Sequence, residues 1–453
     1  MRLVTFLGTG KYDITDYLYD NRTYRSQYVA VALAKLCSPS EVVILATQKA
    51  EETHGQALAE AFAQAGLGAP RFERILDGRS TDELWRNFTH LTELLRGDRE
   101  EETLLDITHG FRSLPFYMGA VVAFVRAVTV KTPIRVLYGA FDFEARSENN
   151  QTPIWELTPF VDLLDWTQAL DLFLRSGHAD PLADRVEELG RLIAREWATT
   201  KAEPTPPRIR EFAKALRAFA EALATVRVGA LLLPNGKRGS LAQQLQTELQ
   251  LARRDIEKHL PPLAQVLDRL EATIAPLVIA ADHLAGAEGQ QALAALARLY
   301  FQLGRYAECG IVLREGWVCR YAPPEATRPG PDFDEKAREC AERALSGNSG
   351  AMQRLVALRN DIEHAGFRKQ PLAAAPIREQ LEEFVAAFAQ VATESLPNEA
   401  CPPSETTPRQ PLTYFVTRHT GAVEWAARQG LKVDRQVDHL DVTTIQPGDT
   451  VIG

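Results

Sequence analysis

Strand-like and helix-like runs alternate through the first 160 residues, long helical patterns fill residues 161–396, and a stretch rich in proline, threonine and serine precedes a short tail. These three observations predict an α/β, Rossmann-like amino-terminal domain over 1–160, an all-α domain over 161–396, a linker over 397–411 and a short α/β-like tail over 412–453. The first predicted strand, Leu3 to Leu7, ends in Gly8-Thr9-Gly10, and an alanine-rich helix follows from Tyr28 to Cys37. Glu41 to Ala46 is a buried strand and Thr53 to Ala65 a helix; Arg71 to Leu76 and Asp82 to Leu95 repeat the pair. Thr103 to Thr108 is the next strand, leading into His109-Gly110-Phe111-Arg112-Ser113 and a helix from Leu114 to Val128. Strands at Ile134 to Tyr138 and Thr152 to Leu157 close the series. Apolar strands separated by helices of this kind form a mostly parallel sheet covered on both faces.

Beyond Val161 the pattern is helical, in segments such as Pro181 to Trp197, Pro207 to Val226, Leu241 to His259, Leu263 to Ile279, Tyr306 to Cys319, Ala351 to Ala365 and Ile377 to Ser395. The tail returns to strand, helix and strand, at Leu412 to Val416, Ala422 to Gln429 and Val433 to Leu440, with a last strand near Thr450. A segment this short buries little surface alone and is expected to pack on the main body or on a partner chain.

The chain has 453 residues, 45% hydrophobic and 25% charged, which excludes wholesale disorder and collagen-like repeats. A net charge of -9 gives no general attraction to nucleic acid or anionic lipid, and leaves room for a local basic cleft. The cysteines, at 37, 309, 319, 340 and 401, form no CxxC pair. With no h-region at the start and no apolar run of about 18 residues or more, the expectation is a cytoplasmic protein with reduced thiols and no membrane step. HExxH, GxSxG and P-loop patterns are absent from the sequence.

Two constellations carry chemistry. Gly8-Thr9-Gly10 and Thr108 to Ser113 both follow strands, and the carboxyl ends of strands line the crevice where open α/β sheets bind ligands. Glycine lets backbone approach a phosphate, Thr108 and Ser113 offer hydroxyls, and Arg112 can fork onto phosphate or stack on a base. The plainer reading is a pair of tight turns. The second constellation is Arg359-Asn360-Asp361-Ile362-Glu363-His364 on a predicted helix, with Asn360 and His364 four apart on one face. A cation beside an imidazole can hold a phosphodiester and move a proton during cleavage without a metal. Its plainer reading is a solvated helix with an Arg359 to Glu363 ion pair. Elsewhere His54, His90, His178, His259 and His283 read as surface or core-edge side chains. Arg418-His419 in the tail could meet phosphate, with helix capping by Thr420 the duller role.

Together these residues resemble one family. Asp106-Ile107-Thr108-His109-Gly110 looks like the DxTHG motif of CRISPR-associated proteins, and Leu3 to Tyr12 is similar to the start of one subgroup. Arg359 to His364 matches the R-x4-6-H motif of HEPN ribonucleases, and Asp165-Trp166-Thr167 through Gly177 looks like the family's junction. The resemblance covers about the first 400 residues and implies a CARF domain followed by a HEPN domain in type III CRISPR antiviral defence. It implies a homodimer, or a higher homo-oligomer, whose CARF pair binds a cyclic oligoadenylate, by default cyclic tetra-adenylate. That activator would switch on metal-independent cleavage of single-stranded RNA, by 2′-hydroxyl attack, at a composite HEPN site. Gly8, Thr9, Gly10, Lys11, Thr108, His109, Gly110, Phe111, Arg112 and Ser113 would hold the activator; Arg359 and His364 would be catalytic and Asn360 supportive. The alternatives are a sensor that does not cut, or a ring nuclease that opens its own activator. The tail, through Thr413 to His419, Gly421 to Ala426 and Gln446 to Asp449, resembles the first half of a small CRISPR-associated family that includes ring nucleases. It reads as a remnant or truncated fusion with no assigned activity.

Overall fold

Side chains alternate along strand β1 (Arg2–Leu7): Leu3 and Leu7 enter one apolar cluster, Val4 and Phe6 another. A strand buried on both faces belongs inside a sheet that is covered twice. The computed structural model describes residues 1–96, 101–110, 114–129, 133–141, 151–200, 208–348, 350–394, 411–417, 420–437 and 448–452. It divides into two compact units, Met1–Asp171 and Leu172–Gly453.

In the first unit β1 is joined by β2 (Thr15–Tyr19), β3 (Arg22–Ser26), β4 (Glu41–Ala46), β5 (Arg71–Arg74), β6 (Thr103–Asp106), β7 (Ile134–Gly139) and β8 (Gln151–Glu156). They form one eight-stranded sheet in the order β3-β2-β8-β7-β6-β1-β4-β5. All pairings are parallel except β2 with β3 and β7 with β8. Helices α1 (Val29–Cys37) and α2 (Gln56–Gln64) bury Leu33, Leu58 and Phe62 in the cluster on one face. Helices α3 (Thr81–Leu95) and α4 (Leu114–Val128) bury Leu91, Met118 and Val122 in the cluster on the other. From β1 the chain order runs outward through β4 and β5 on one side and through β6, β7 and β8 on the other. The β1/β6 junction is therefore the topological switch point, the place where such sheets bind ligands.

The β2–β3 hairpin is absent from the sequence reading, which passes from Gly10 straight to the helix at Tyr28. Its signal is Asp20-Asn21, both in the left-handed region at φ 50° and 57°, between runs of β-prone residues. That is the backbone a two-residue hairpin turn requires. The loop after β1 thus enters a hairpin and brings no helix amino terminus to the crevice. The helix expected to begin at Thr53 is preceded by helical turns at Gln48–Ala50 and Glu51–Gly55.

The second unit begins inside α5 (Thr158–Ser176); the sequence reading sets the boundary at 160/161. Then come α6 (Asp180–Thr200), α7 (Ile209–Ala224), α8 (Leu241–His259), α9 (Ala264–Ile274), α10 (Ala287–Gln302), α11 (Tyr306–Tyr321), α12 (Glu335–Asn348), α13 (Gly350–Glu363) and α14 (Ala374–Val391). The limits of α8 agree with the sequence because Ser240 and Gln243 make a reciprocal capping box. The expected helix from Leu263 to Ile279 stops at Ile274, next to Pro276.

Helix α11 packs against α10, α12, α13 and α14. Its buried residues include Cys309, Val312, Leu313, Gly316 and Cys319 along one face and Gly310 and Val318 away from it, as a central position demands. Arg338 on α12 pairs with Glu315, and Arg320 donates to the Val391 carbonyl at 2.8 Å, satisfying a terminal carbonyl of α14. Cys340 is disulfide-bonded, which corrects the expectation of reduced thiols throughout; Cys37, Cys309 and Cys319 are free. In the tail, β9 (Thr413–Val416) lies between β10 (Arg435–Val437) and β11 (Thr450–Ile452), both parallel to it, with α15 (Thr420–Arg428) following β9. Among the described residues no helix is long and apolar enough to cross a membrane.

A β-carbon on Gly316 would sit 2.4 Å from Cζ of the fully buried Phe388, so only glycine lets α14 approach α11 this closely. Gly316→Ala should destabilise the chain by about 1–3 kcal/mol, and Phe388→Leu in that background should recover part of the loss, both read by urea denaturation.

Candidate functional site

The β1/β6 switch point is organised by a carboxylate with no exposed surface. Asp106 faces Thr5 in the parallel register and accepts the Thr5 hydroxyl at 2.5 Å. It also accepts the Thr108 amide at 3.1 Å and the Thr108 hydroxyl. Thr108 Oγ1 in turn accepts the Gly139 amide at 2.7 Å, so one network ties the ends of β1, β6 and β7. A β-carbon on Gly139 would lie 3.2 Å from the Thr108 side chain, and glycine keeps that contact open. Burial pushes the Asp106 carboxyl above its usual range, against the pull of the three donors from Thr108 and Thr5.

Above this network stands an aromatic cluster. The Tyr12 ring meets His109 edge-on at 4.5 Å, His54 at 4.9 Å and Tyr28 at 5.0 Å, and His109 lies 5.2 Å from Phe141. Tyr12 Oη accepts the Gly8 amide at 2.7 Å, and His54 Nε2 is 2.9 Å from the Gly10 carbonyl. His54, read from sequence as a surface side chain, is thus a tie holding the loop. Thr9, Gly10 and Gly110 are exposed, and Lys11 reaches outward to Asp13 at 2.7 Å. A β-carbon on Gly110 would fall 2.2 Å from Leu114 Cδ2, so any larger residue there must shift the Leu114 side chain. Phe111, Arg112 and Ser113 lie outside the described residues, as do Arg418 and His419 of the tail. His109 Nε2 is buried without a hydrogen-bond partner, and burial holds its pKa down to about 4. It is a neutral imidazole whose buried Nε2 has no hydrogen-bond partner.

The second constellation lies on α13. Leu355, Leu358 and Asp361 form its buried side, and Asn360 is exposed. The Asp361 carboxylate, 2% exposed, accepts the Leu372 amide at 3.1 Å and pairs with Arg368 at 3.3 Å, while its carbonyl accepts the Gly366 amide at 2.8 Å. The turn after His364 is thereby folded back on the helix, through Ala365 and Gly366 at φ 52° and 72°. Asn360 and His364 line an open groove of about 480 Å³ together with Val356, Ala357, Phe367 and Arg368. Arg359 is not among its lining residues. Its guanidinium pairs with Glu363 at 2.9 Å, and its stem packs beside Gly310 of α11. Within one chain, then, the structure joins Asn360 and His364 in a groove and sets Arg359 beside it. Phe367, Arg368 and the anchoring role of Asp361 escape the sequence reading, although all three adjoin or lie within the motif. Among the described residues no cluster of three or more His, Cys, Asp or Glu could hold a metal ion.

Comparison with known proteins adds a context to this geometry. Residues 414–453 match the CRISPR-associated protein family Cas_VVA1548. CRISPR-associated protein MJ1674 of Methanocaldococcus jannaschii is 27% identical over 129 residues, 28% of this chain and 20% of that protein. The match thus spans a fifth of the relative's length. Enterococcus italicus Csm6, solved bound to cyclic hexa-2′-fluoro-hexa-dAMP, superposes with a TM-score of 0.37 and 12% identity, over 86% of this chain and 93% of that one. The tail match falls where the sequence resembles a small CRISPR-associated family.

The buried His109 gives a pH test. Above 6.5 the ring is neutral folded and unfolded; between 6.5 and about 4 only the unfolded chain takes up the proton, so stability falls with pH by at most about 1.4 kcal/mol per unit. The stability advantage of the wild-type chain over His109→Gln, from urea midpoints, should shrink as the pH is lowered from 6.5 towards 4. A gap independent of pH would place the imidazole in solvent.

Proposed function

We propose that the chain is a cyclic oligoadenylate-activated, metal-independent endonuclease of single-stranded RNA, acting in type III CRISPR defence as a homodimer. The observation that carries this reading is the pairing of two built sites with the two motifs: DxTHG at the β1/β6 switch point and RxxxxH beside the α13 groove. The sequence matches to CRISPR-associated proteins support the setting.

In this reading the activator lies across the crevice. Thr9, Gly10 and Gly110 offer exposed backbone to its phosphates, and His109 Nε2 takes the hydrogen bond it lacks. A phosphate reaching the Gly8 amide must displace the Tyr12 hydroxyl. At α13 His364 moves the proton of the attacking 2′-hydroxyl or of the leaving 5′-oxygen, and Arg359 stabilises charge on the phosphate. Attack of the 2′-oxygen on the adjacent phosphorus, with loss of the 5′-oxygen, leaves a 2′,3′-cyclic phosphate and a 5′-hydroxyl. Arg359 lies outside the groove of its own chain, which fits a site completed by a second copy.

A sensor that binds the same activator without cutting is the second reading. The Arg359–Glu363 ion pair favours it, because a guanidinium held by a carboxylate is not free for phosphate.

Cleavage of a fluorescent single-stranded RNA in EDTA, with cyclic tri-, tetra- and hexa-adenylate added in turn, separates the two. We expect one ring size to activate, and His364→Ala and Arg359→Ala each to lower the rate by about 100-fold or more. Binding of a ring without any cleavage would select the sensor.

A further inference from the structure

Phe367 is 92% exposed, more than any other large apolar side chain among the described residues. Its position is built rather than incidental. The Phe367 amide donates to the His364 carbonyl at 2.9 Å, the two residues before it are left-handed, and Arg368 after it is tied to Asp361 and to the Ala357 carbonyl. The chain on both sides of the ring is thus fastened to α13.

The ring shares its groove with Asn360, His364 and Arg368, and Lys369 beside it is exposed. An aromatic face beside Lys369, an amide and an imidazole, with Arg368 held to Asp361, suits single-stranded nucleic acid, whose bases stack and whose phosphates seek positive charge. The local charge is opposite in sign to the chain's net charge of -9, so this complementarity belongs to the turn. We infer that Phe367 is the stacking platform for a nucleobase of the bound RNA, adjoining the phosphate handled by His364. The inference rests on the reading of this groove as the cleavage site and names the subsite that reading lacks. The rival occupant is a second copy of the chain, with the ring buried between protomers.

The test uses the full chain with His364→Ala, so that RNA stays intact, and fluorescence anisotropy of a fluorescein-labelled single-stranded RNA. Phe367→Ala should weaken binding by about tenfold, Phe367→Trp should retain it, and Phe367→Leu should bind as poorly as alanine because it lacks a π face. The mass from light scattering should be the same for all three. Leucine binding as well as phenylalanine, or a mass that falls with Phe367→Ala, would overturn the inference and place the ring between copies. In the chain that retains His364, Phe367→Ala should raise KM with kcat preserved. An unchanged KM, where cleavage still depends on His364, would overturn the stacking subsite alone. Cleavage indifferent to His364→Ala would overturn the reading of the groove, and the subsite with it.

Discussion

A buried carboxylate must be met by donors, and each of the two motifs is built around one. Asp106 has no exposed surface and gathers Thr5 and Thr108; Asp361, 2% exposed, gathers Leu372 and Arg368. An unmatched buried carboxylate would cost several kcal/mol, so the backbone around each is obliged to bring its donors into place. In doing so it brings up the residues that face outward. Asp106 joins three strand ends and leaves His109 above them, while Asp361 folds the turn that presents His364, Phe367 and Arg368. Within each motif the aspartate holds the backbone, and its neighbours line the crevice or the groove.

Much of this was legible because the signals were local. Continuous apolar strands such as Val42 to Ala46 admit only a doubly covered sheet, and Ser240 with Gln243 states where α8 begins. The two motifs were legible as motifs, since their residues are neighbours in sequence. Contacts distant in sequence were not. Nothing near Tyr12 announces that its hydroxyl turns back to Gly8, or that His54 closes on Gly10 across the hairpin and α1. The hairpin itself was hidden in polar residues, with Asp20-Asn21 as its one turn signal. Phe367 has no signal of its own in the sequence; its exposure follows from the left-handed pair Ala365-Gly366 and from Asp361, which reverse the chain before the ring can pack inward.

The two sites also share an electrostatic logic. The chain is acidic overall, yet the turn after α13 is cationic, and the crevice holds an imidazole that burial keeps neutral. A neutral His109 can accept or donate a hydrogen bond at Nε2 without the desolvation cost of a charge. The Tyr12 hydroxyl satisfies the Gly8 amide, so that backbone donor is not left unpaired at the end of β1.

The central claim is that occupancy of the switch point sets RNA cleavage. The most direct measurement is the cleavage rate as a function of cyclic tetra-adenylate concentration, for the wild-type chain and His109→Ala side by side. The account predicts that the half-activating concentration rises by about tenfold or more in the variant while the rate at saturation stays near wild type, since the lost hydrogen bond belongs to ligand binding and not to chemistry. An unchanged half-activating concentration would contradict it, and would separate the DxTHG crevice from control of the RNA site.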